Sequence, residues 1–188
     1  MKPDLKQWLM FLLFGLAACA PVVSPPSTGL NAEMSSPDLP DYGPAPEFTN
    51  AVWLNTDGPL TLTDLRGRVV AVDMWTFGCI NCQHVIPSLR EWDEKYREQG
   101  LVIVGNHYPE FDYEADLDNL KDAVARFEIE YIVAQDNDGA MWRAYNNHYW
   151  PTLYLIDKWG RLRYRHIGEG AYKETEAAIQ ALLSEQYP

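Results

Sequence analysis

Arg68-Val69-Val70-Ala71-Val72-Asp73-Met74-Trp75-Thr76-Phe77-Gly78-Cys79-Ile80-Asn81-Cys82 is the stretch on which the reading of the fold turns. Residues 68–75 form a short apolar run of the length and β-branched content expected of a buried strand. A helix is expected to open at about Cys79 and run to about Gln99, with Val85, Ile86, Leu89 and Trp92 on its inward face, Pro87 inside it and Gly100 ending it. Two cysteines three positions apart on the first turn of a helix share one face, with Cβ atoms about 5–6 Å apart. A small adjustment brings them to the roughly 3.8 Å of a disulfide. The helix N-terminus favours an anion, so Cys79 is the candidate attacking thiolate and Cys82 the candidate resolving thiol.

Other uses of a cysteine pair fit less well. A structural zinc site takes about four ligands, and no second cysteine pair is present. Covalent haem attachment requires His directly after the second Cys, where this chain has Gln83, with His84 one position later. A copper(I) delivery module built from Cys79, Cys82 and a histidine such as His148 or His84 is the alternative from a different class. No nucleotide, flavin or haem fingerprint is present, so no bound cofactor or resident metal is expected.

Outward from this stretch, the pattern alternates. Residues 101–106 read as a buried strand, 114–128 as a helix, 130–134 as a strand and 138–146 as a short helix. Residues 152–157 and 161–167 read as the two strands of a hairpin across the turn 157–160, and 171–186 as a last helix. This implies an α/β fold: a central mixed sheet flanked by helices.

The N-terminus has a different character. Lys2 and Lys6 precede the apolar run Leu9–Ala18, which at about 10 residues is too short to span a bilayer and fits a secretory signal. Leu16-Ala17-Ala18-Cys19 resembles a bacterial lipobox, which implies a signal peptide over 1–18, cleavage before Cys19 and diacylglycerol on its sulfur. That assignment also accounts for the odd one of the three cysteines. Residues 19–46 then form a lipidated, Pro-rich tether, and 47–188 the folded domain. A net charge of −12 argues against nucleic acid as a partner.

Further residues carry a resemblance. Asp73 stands six positions before Cys79, Trp75 four before it, Pro87 five after Cys82, and Trp150-Pro151-Thr152 lies downstream. In this order they resemble the active-site region of thioredoxins. The segments Trp75–Pro87, Trp92–Gly100, His107–Phe111 and Trp142–Gly170 resemble the exported domains of the TlpA/DipZ group. The resemblance covers about residues 45–188. It implies a thioredoxin fold with an extra strand–helix insert, a buried Asp73 that moves protons, and a cis Pro151 facing the cysteines. The intervening dipeptide Ile80-Asn81 differs from the Gly-Pro of thioredoxin. Val85 stands where some cytochrome-maturation members have glutamate.

The resemblance further implies an envelope dithiol reductase, a monomer held on the periplasmic side by lipid on Cys19, at an outer membrane if the cell has one. It would take electrons from a membrane thiol donor and pass them to exported protein disulfides, or run in reverse as a thiol oxidase. Beside Cys79, Cys82, Asp73 and Pro151, an apolar docking rim is expected from Trp75, Phe77 and Trp150, with Tyr149 adjacent. His84 is expected on the helix surface. The sequence gives His107 and Glu110 no derivable role.

Overall fold

The computed structural model describes residues 38–188. The signal, Cys19 and most of the expected tether lie outside the described residues. Strand β1 covers Val52–Leu54, β2 Val69–Trp75, β3 Leu101–His107, β4 Ile132–Gln135, β5 Thr152–Ile156 and β6 Leu162–Ile167. Helix α1 covers Ile80–Tyr96, α2 Leu117–Arg126, α3 Ala140–Ala144 and α4 Tyr172–Ser184. One sheet has the order β1-β4-β3-β2-β5-β6. β2 runs parallel to β3, and β3 to β4, while the β1–β4, β2–β5 and β5–β6 pairs are antiparallel.

β2 is central and buried along its whole length. Its alternate side chains enter two different cores, as the two-residue period of a strand requires. Val69, Ala71 and Trp75 pack with Val85, Ile86, Leu89 and Trp92 of α1 and with Ile179 and Leu182 of α4. Val70, Val72 and Met74 pack on the other side with Val104, Met141, Tyr145 and Tyr154. Asp73 shares the parity of the first set, so its carboxyl points into the α1 side of the sheet.

Local details follow from chemistry. α1 gives way to a 3-10 turn at Arg97–Gln99, which ends on Gly100 at φ 106°, a left-handed position suited to glycine. The expected helix over 114–128 is shorter: Asp116 accepts from the N–H groups of Asp118 (2.9 Å) and Asn119 (3.0 Å) and so starts α2 at Leu117. A separate 3-10 turn occupies Asp112–Ala115. β1 has no counterpart in the sequence pattern, because three residues at a sheet edge carry too little periodicity to announce a strand.

The segment read as the end of the tether lies against the domain. Tyr42 N–H donates to Leu162 O and Leu162 N–H to Gly43 O, both at 2.9 Å, while Ala45 N–H donates to Gly160 O at 3.0 Å. Arg161 Nε reaches Asp41 at 2.7 Å and Arg163 Nε reaches Pro40 O at 2.9 Å. This covers the start of the outer strand β6, which would otherwise present unpaired backbone groups.

Gly105 on β3 stands directly opposite Asp73 of β2. A Cβ there would meet Trp75 Nε1 at 2.9 Å and Tyr131 Cε2 at 3.3 Å, both side chains being buried. Gly105→Ala is therefore expected to destabilise the domain by about 1–3 kcal/mol through overpacking. Urea denaturation checks this; an unchanged midpoint would show that the Trp75–Tyr131 contact yields freely.

Candidate active site

The site forms where β2 ends and α1 begins. Four residues, Thr76 to Cys79, connect a fully buried strand to a helix. Cys79 is the N-cap of α1, and its sulfur accepts the N–H of Cys82 at 3.4 Å. Cys79 is partly exposed and Cys82 is buried, and both are free thiols. Burial pushes the Cys82 thiol well above its ordinary range, with the Asp73 charge adding to the effect.

Asp73 is buried, and among the described residues neither carboxyl oxygen has a hydrogen-bond partner. Desolvation alone pushes its pKa up to about 7. A carboxyl in that range near neutral pH can hold or release a proton beside Cys82.

The Trp150–Pro151 peptide is cis. Thr152 pairs with Met74, so Pro151 lies beside the end of β2, at the same sheet edge from which the cysteine loop departs. Thr152 Oγ1 and Asn147 Nδ2 both donate to Tyr149 O, at 2.8 and 3.0 Å, and Gly168 N–H donates to Pro151 O at 2.8 Å, which hold the loop on both flanks.

The aromatic residues expected in the docking rim separate by burial. Trp75 is fully buried and Phe77 is 7 % exposed, so neither offers a contact face. Adjacency in sequence to the cysteines places both in the expected rim, but β2 stays in the core to its last residue. Phe77 is stacked on His107 (5.3 Å) and edge-on to Tyr113 (5.7 Å). Trp150 is half-buried, packed on Trp142 at 4.4 Å and Tyr108 at 5.8 Å. The exposed apolar side chains here are Ile80, between the cysteines, Tyr149, and the Phe111–Tyr113 stack.

His107 is buried at the end of β3. Its Nε2 accepts the N–H of Phe77 at 3.4 Å and lies 3.3 Å from Thr76 Oγ1, which assigns the ring proton to Nδ1. Desolvation lowers its pKa to about 4, so the ring is neutral at ordinary pH. His84 pairs with Glu169 at 3.0 Å on the surface. The Glu110 side chain is exposed. Glu114, the first residue of the helix expected over 114–128, is buried. Its Oε1 accepts the N–H of Gly78 at 2.8 Å, and its Oε2 accepts those of Glu110 (2.7 Å) and Phe111 (3.0 Å). The segment 107–111 was marked by its resemblance, but nothing in its pattern pointed three residues further.

A cysteine pair capping a helix at the end of a central parallel strand, opposite a cis-proline loop, defines the thioredoxin-like class of fold. The chain belongs to the AhpC/TSA family, whose model matches residues 43–165, and within it to the TlpA/DipZ redoxin group. It is 40 % identical over 161 residues to Protein DipZ of Mycobacterium bovis, covering 84 % of this chain and 23 % of that protein. It is 31 % identical over 144 residues to the thiol-disulfide oxidoreductase YkuV of Bacillus subtilis, covering 76 % of this chain and 95 % of that one. The crystal structure of a thioredoxin-like superfamily protein superposes with a TM-score of 0.73 at 30 % identity, covering 78 % of this chain and 99 % of the other. A thiol-disulfide isomerase from Corynebacterium glutamicum superposes at 0.69 with 26 % identity, covering 77 % and 99 %. The chain spans 13–23 % of the length of DipZ and the other long curated relatives it matches.

The Asp73 environment predicts a pH dependence of stability. The folded carboxyl holds its proton more tightly than the unfolded one, whose ordinary value is 3.8. The folded state is therefore unpenalised below about pH 4 and loses stability as pH rises to about 7, by an amount on the order of 4 kcal/mol. Asp73→Asn is expected to abolish this slope and to be more stable than the wild type at pH 8. Urea midpoints at pH 5 and pH 8 measure it; parallel profiles for the two proteins would contradict the assignment.

Proposed function

We propose that this chain is a membrane-tethered thiol–disulfide oxidoreductase that acts as a dithiol reductase through Cys79 and Cys82. The observation that carries this reading is the asymmetry of the pair. Cys79 is partly exposed at a helix N-cap, while Cys82 is buried on the side of the sheet that holds the unpartnered carboxyl of Asp73.

The reaction follows from that asymmetry. The Cys79 thiolate attacks one sulfur of a partner disulfide, forming a mixed disulfide and releasing the partner's other sulfur as a thiolate that takes a proton from solvent. Asp73 accepts the proton of Cys82, whose thiol resists ionisation where it is buried. Cys82 sulfur then attacks Cys79 sulfur. The second partner sulfur leaves as a thiolate and is protonated, and the chain keeps the Cys79–Cys82 disulfide. Two electrons have moved to the partner, and a donor dithiol restores the pair by the reverse exchange.

Pro151 and its neighbours supply the docking edge. The loop before β5 lets an extended segment lie along it by strand-like pairing, as in other β-augmentation sites. The apolar contacts come from Ile80, Tyr149 and the exposed part of Trp150, which packs against the core cluster that contains Trp75 and Phe77. Exported protein disulfides are the proposed substrates, and a membrane thiol protein the donor. DipZ and YkuV support the redox reading by family. The envelope location rests on the signal-like run and Cys19. Among the described residues no helix is long and apolar enough to cross a membrane, and the proposed attachment is lipid on Cys19, as a monomer.

Equilibrating the soluble domain in graded dithiol/disulfide buffers and counting alkylated thiols by mass tests the direction. A two-electron transition well below about −200 mV is expected for a reductase. A transition near about −120 mV would make the protein an oxidant, and the absence of a reversible disulfide would overturn the redox reading. Cys79→Ser is expected to abolish disulfide reduction and Cys82→Ser to accumulate the mixed disulfide. Cys19→Ser is expected to move the protein out of the membrane fraction.

A further inference from the structure

The connection from Trp75 to Ile80 cannot satisfy its own backbone. The N–H of Cys79 turns back to Thr76 O at 3.3 Å, but those of Phe77 and Gly78 lie outside both the sheet ladder and the helix. Both are taken by side chains from one eight-residue segment. His107 Nε2 accepts Phe77 N–H, and Glu114 Oε1 accepts Gly78 N–H. The segment is itself folded around the same carboxylate, because Glu114 Oε2 accepts Glu110 and Phe111, and Glu114 N–H donates to Phe111 O at 2.9 Å. One end is anchored in the sheet, where His107 pairs with Trp75 on β2. His107 and Glu114 are both fully buried. The fit at Gly78 is tight: a Cβ there would collide with Glu114 Oε1 and stand 2.8 Å from Tyr113 Oη.

We propose that His107 and Glu114 are positioning residues, a two-point clamp on the backbone of Phe77 and Gly78 that fixes Cys79 at the helix N-cap for attack on a disulfide. The proposal rests on the redox reading of Cys79. Neither side chain carries out the chemistry. His107 Nε2 is occupied by the loop, and all three bonds to the Glu114 carboxylate come from backbone N–H groups. What they control is the place of the attacking sulfur, and a misplacement of about 1 Å in a reacting group can cost on the order of a hundredfold in rate.

Two substitutions open the clamp from opposite sides. In Glu114→Gln the single remaining oxygen is best used on the two donors of Glu110 and Phe111, which turns the amide nitrogen toward Gly78 N–H and releases that residue alone. Gly78→Ala pushes the loop off Glu114 while leaving the segment's own turn intact. Both are expected to slow the single-turnover attack of the reduced protein on 5,5′-dithiobis(2-nitrobenzoate) by about tenfold. With a protein disulfide as substrate, kcat is expected to fall while KM stays in Glu114→Gln, which alters none of Ile80, Tyr149 and Trp150. Amide exchange supplies an independent reading. In the wild type, the Phe77 and Gly78 amides are expected to exchange at least about tenfold more slowly than an open loop, and in Glu114→Gln the Gly78 amide alone is released.

Wild-type Gly78 exchanging at the open-loop rate would overturn the clamp, even if neither variant folds. So would a Gly78 amide freed in the variant with the attack rate unchanged. If the wild type itself forms no reversible Cys79–Cys82 disulfide, the functional reading fails, whereas the exchange pattern is measured independently of it.

Discussion

A chain leaving a fully buried strand must satisfy every backbone N–H it carries before a helix can take over, and here only four residues are available. That constraint governs the site. Tyr108 N–H returns to Trp75 O at 3.0 Å, prolonging the β2–β3 register past the end of the strand, and the N–H groups of Phe77 and Gly78 are met by His107 at the end of β3 and by Glu114 in the connection to α2. The first helical turn is thus reached with Cys79 already in an N-cap conformation, φ −77° and ψ 116°. The loop after β2 and the segment from His107 to Glu114 are coupled through these hydrogen bonds, and α1 begins where they end.

The second organising feature is a deliberate violation of packing chemistry. Asp73 sits in the middle of a strand whose neighbours are Val72 and Met74, with both oxygens unpartnered. Among the described residues Trp75 Nε1, which borders the space over Gly105, and the Tyr131 hydroxyl are also without partners. Buried polar groups in native proteins are nearly always paired, so such a cluster costs stability. In the proposed reaction this carboxyl changes protonation beside a thiol, which an ion pair would oppose, because a fixed positive charge would hold it ionised. Local consistency is given up where the chemistry requires it.

Much of this was legible in the sequence. The β-branched run 68–75, the spacing of Cys79 and Cys82, and the inward face of α1 are short-range patterns, and the structure reproduces them with boundaries shifted by a few residues. The burial of Asp73 followed from its apolar flanks. The rest depended on distance along the chain. Glu114 meets Gly78 across 36 positions, and at the sequence level a glutamate at the start of a helix reads as a solvated group near a favourable dipole. Trp75 and Phe77 looked like rim residues because they neighbour the cysteines, but the core claims both. Residues 40–45 read as tether from their prolines, and their pairing with β6 lies about 120 positions downstream.

That pairing bears on how far the redox pair can range. With Cys19 as the proposed anchor, a leash counted to residue 46 would hold 27 residues, whereas 20 lie between Cys19 and Pro40, whose carbonyl accepts Arg163 Nε of β6. At no more than about 3.3–3.6 Å per residue, the longest excursion that the proposed tether allows falls from roughly 90–95 Å to roughly 65–70 Å. In the proposed arrangement the domain would stay within a shell less than twice its own diameter from the bilayer. The proposed membrane donor would then be within reach at every moment, and a substrate would have to come to that shell to be reduced.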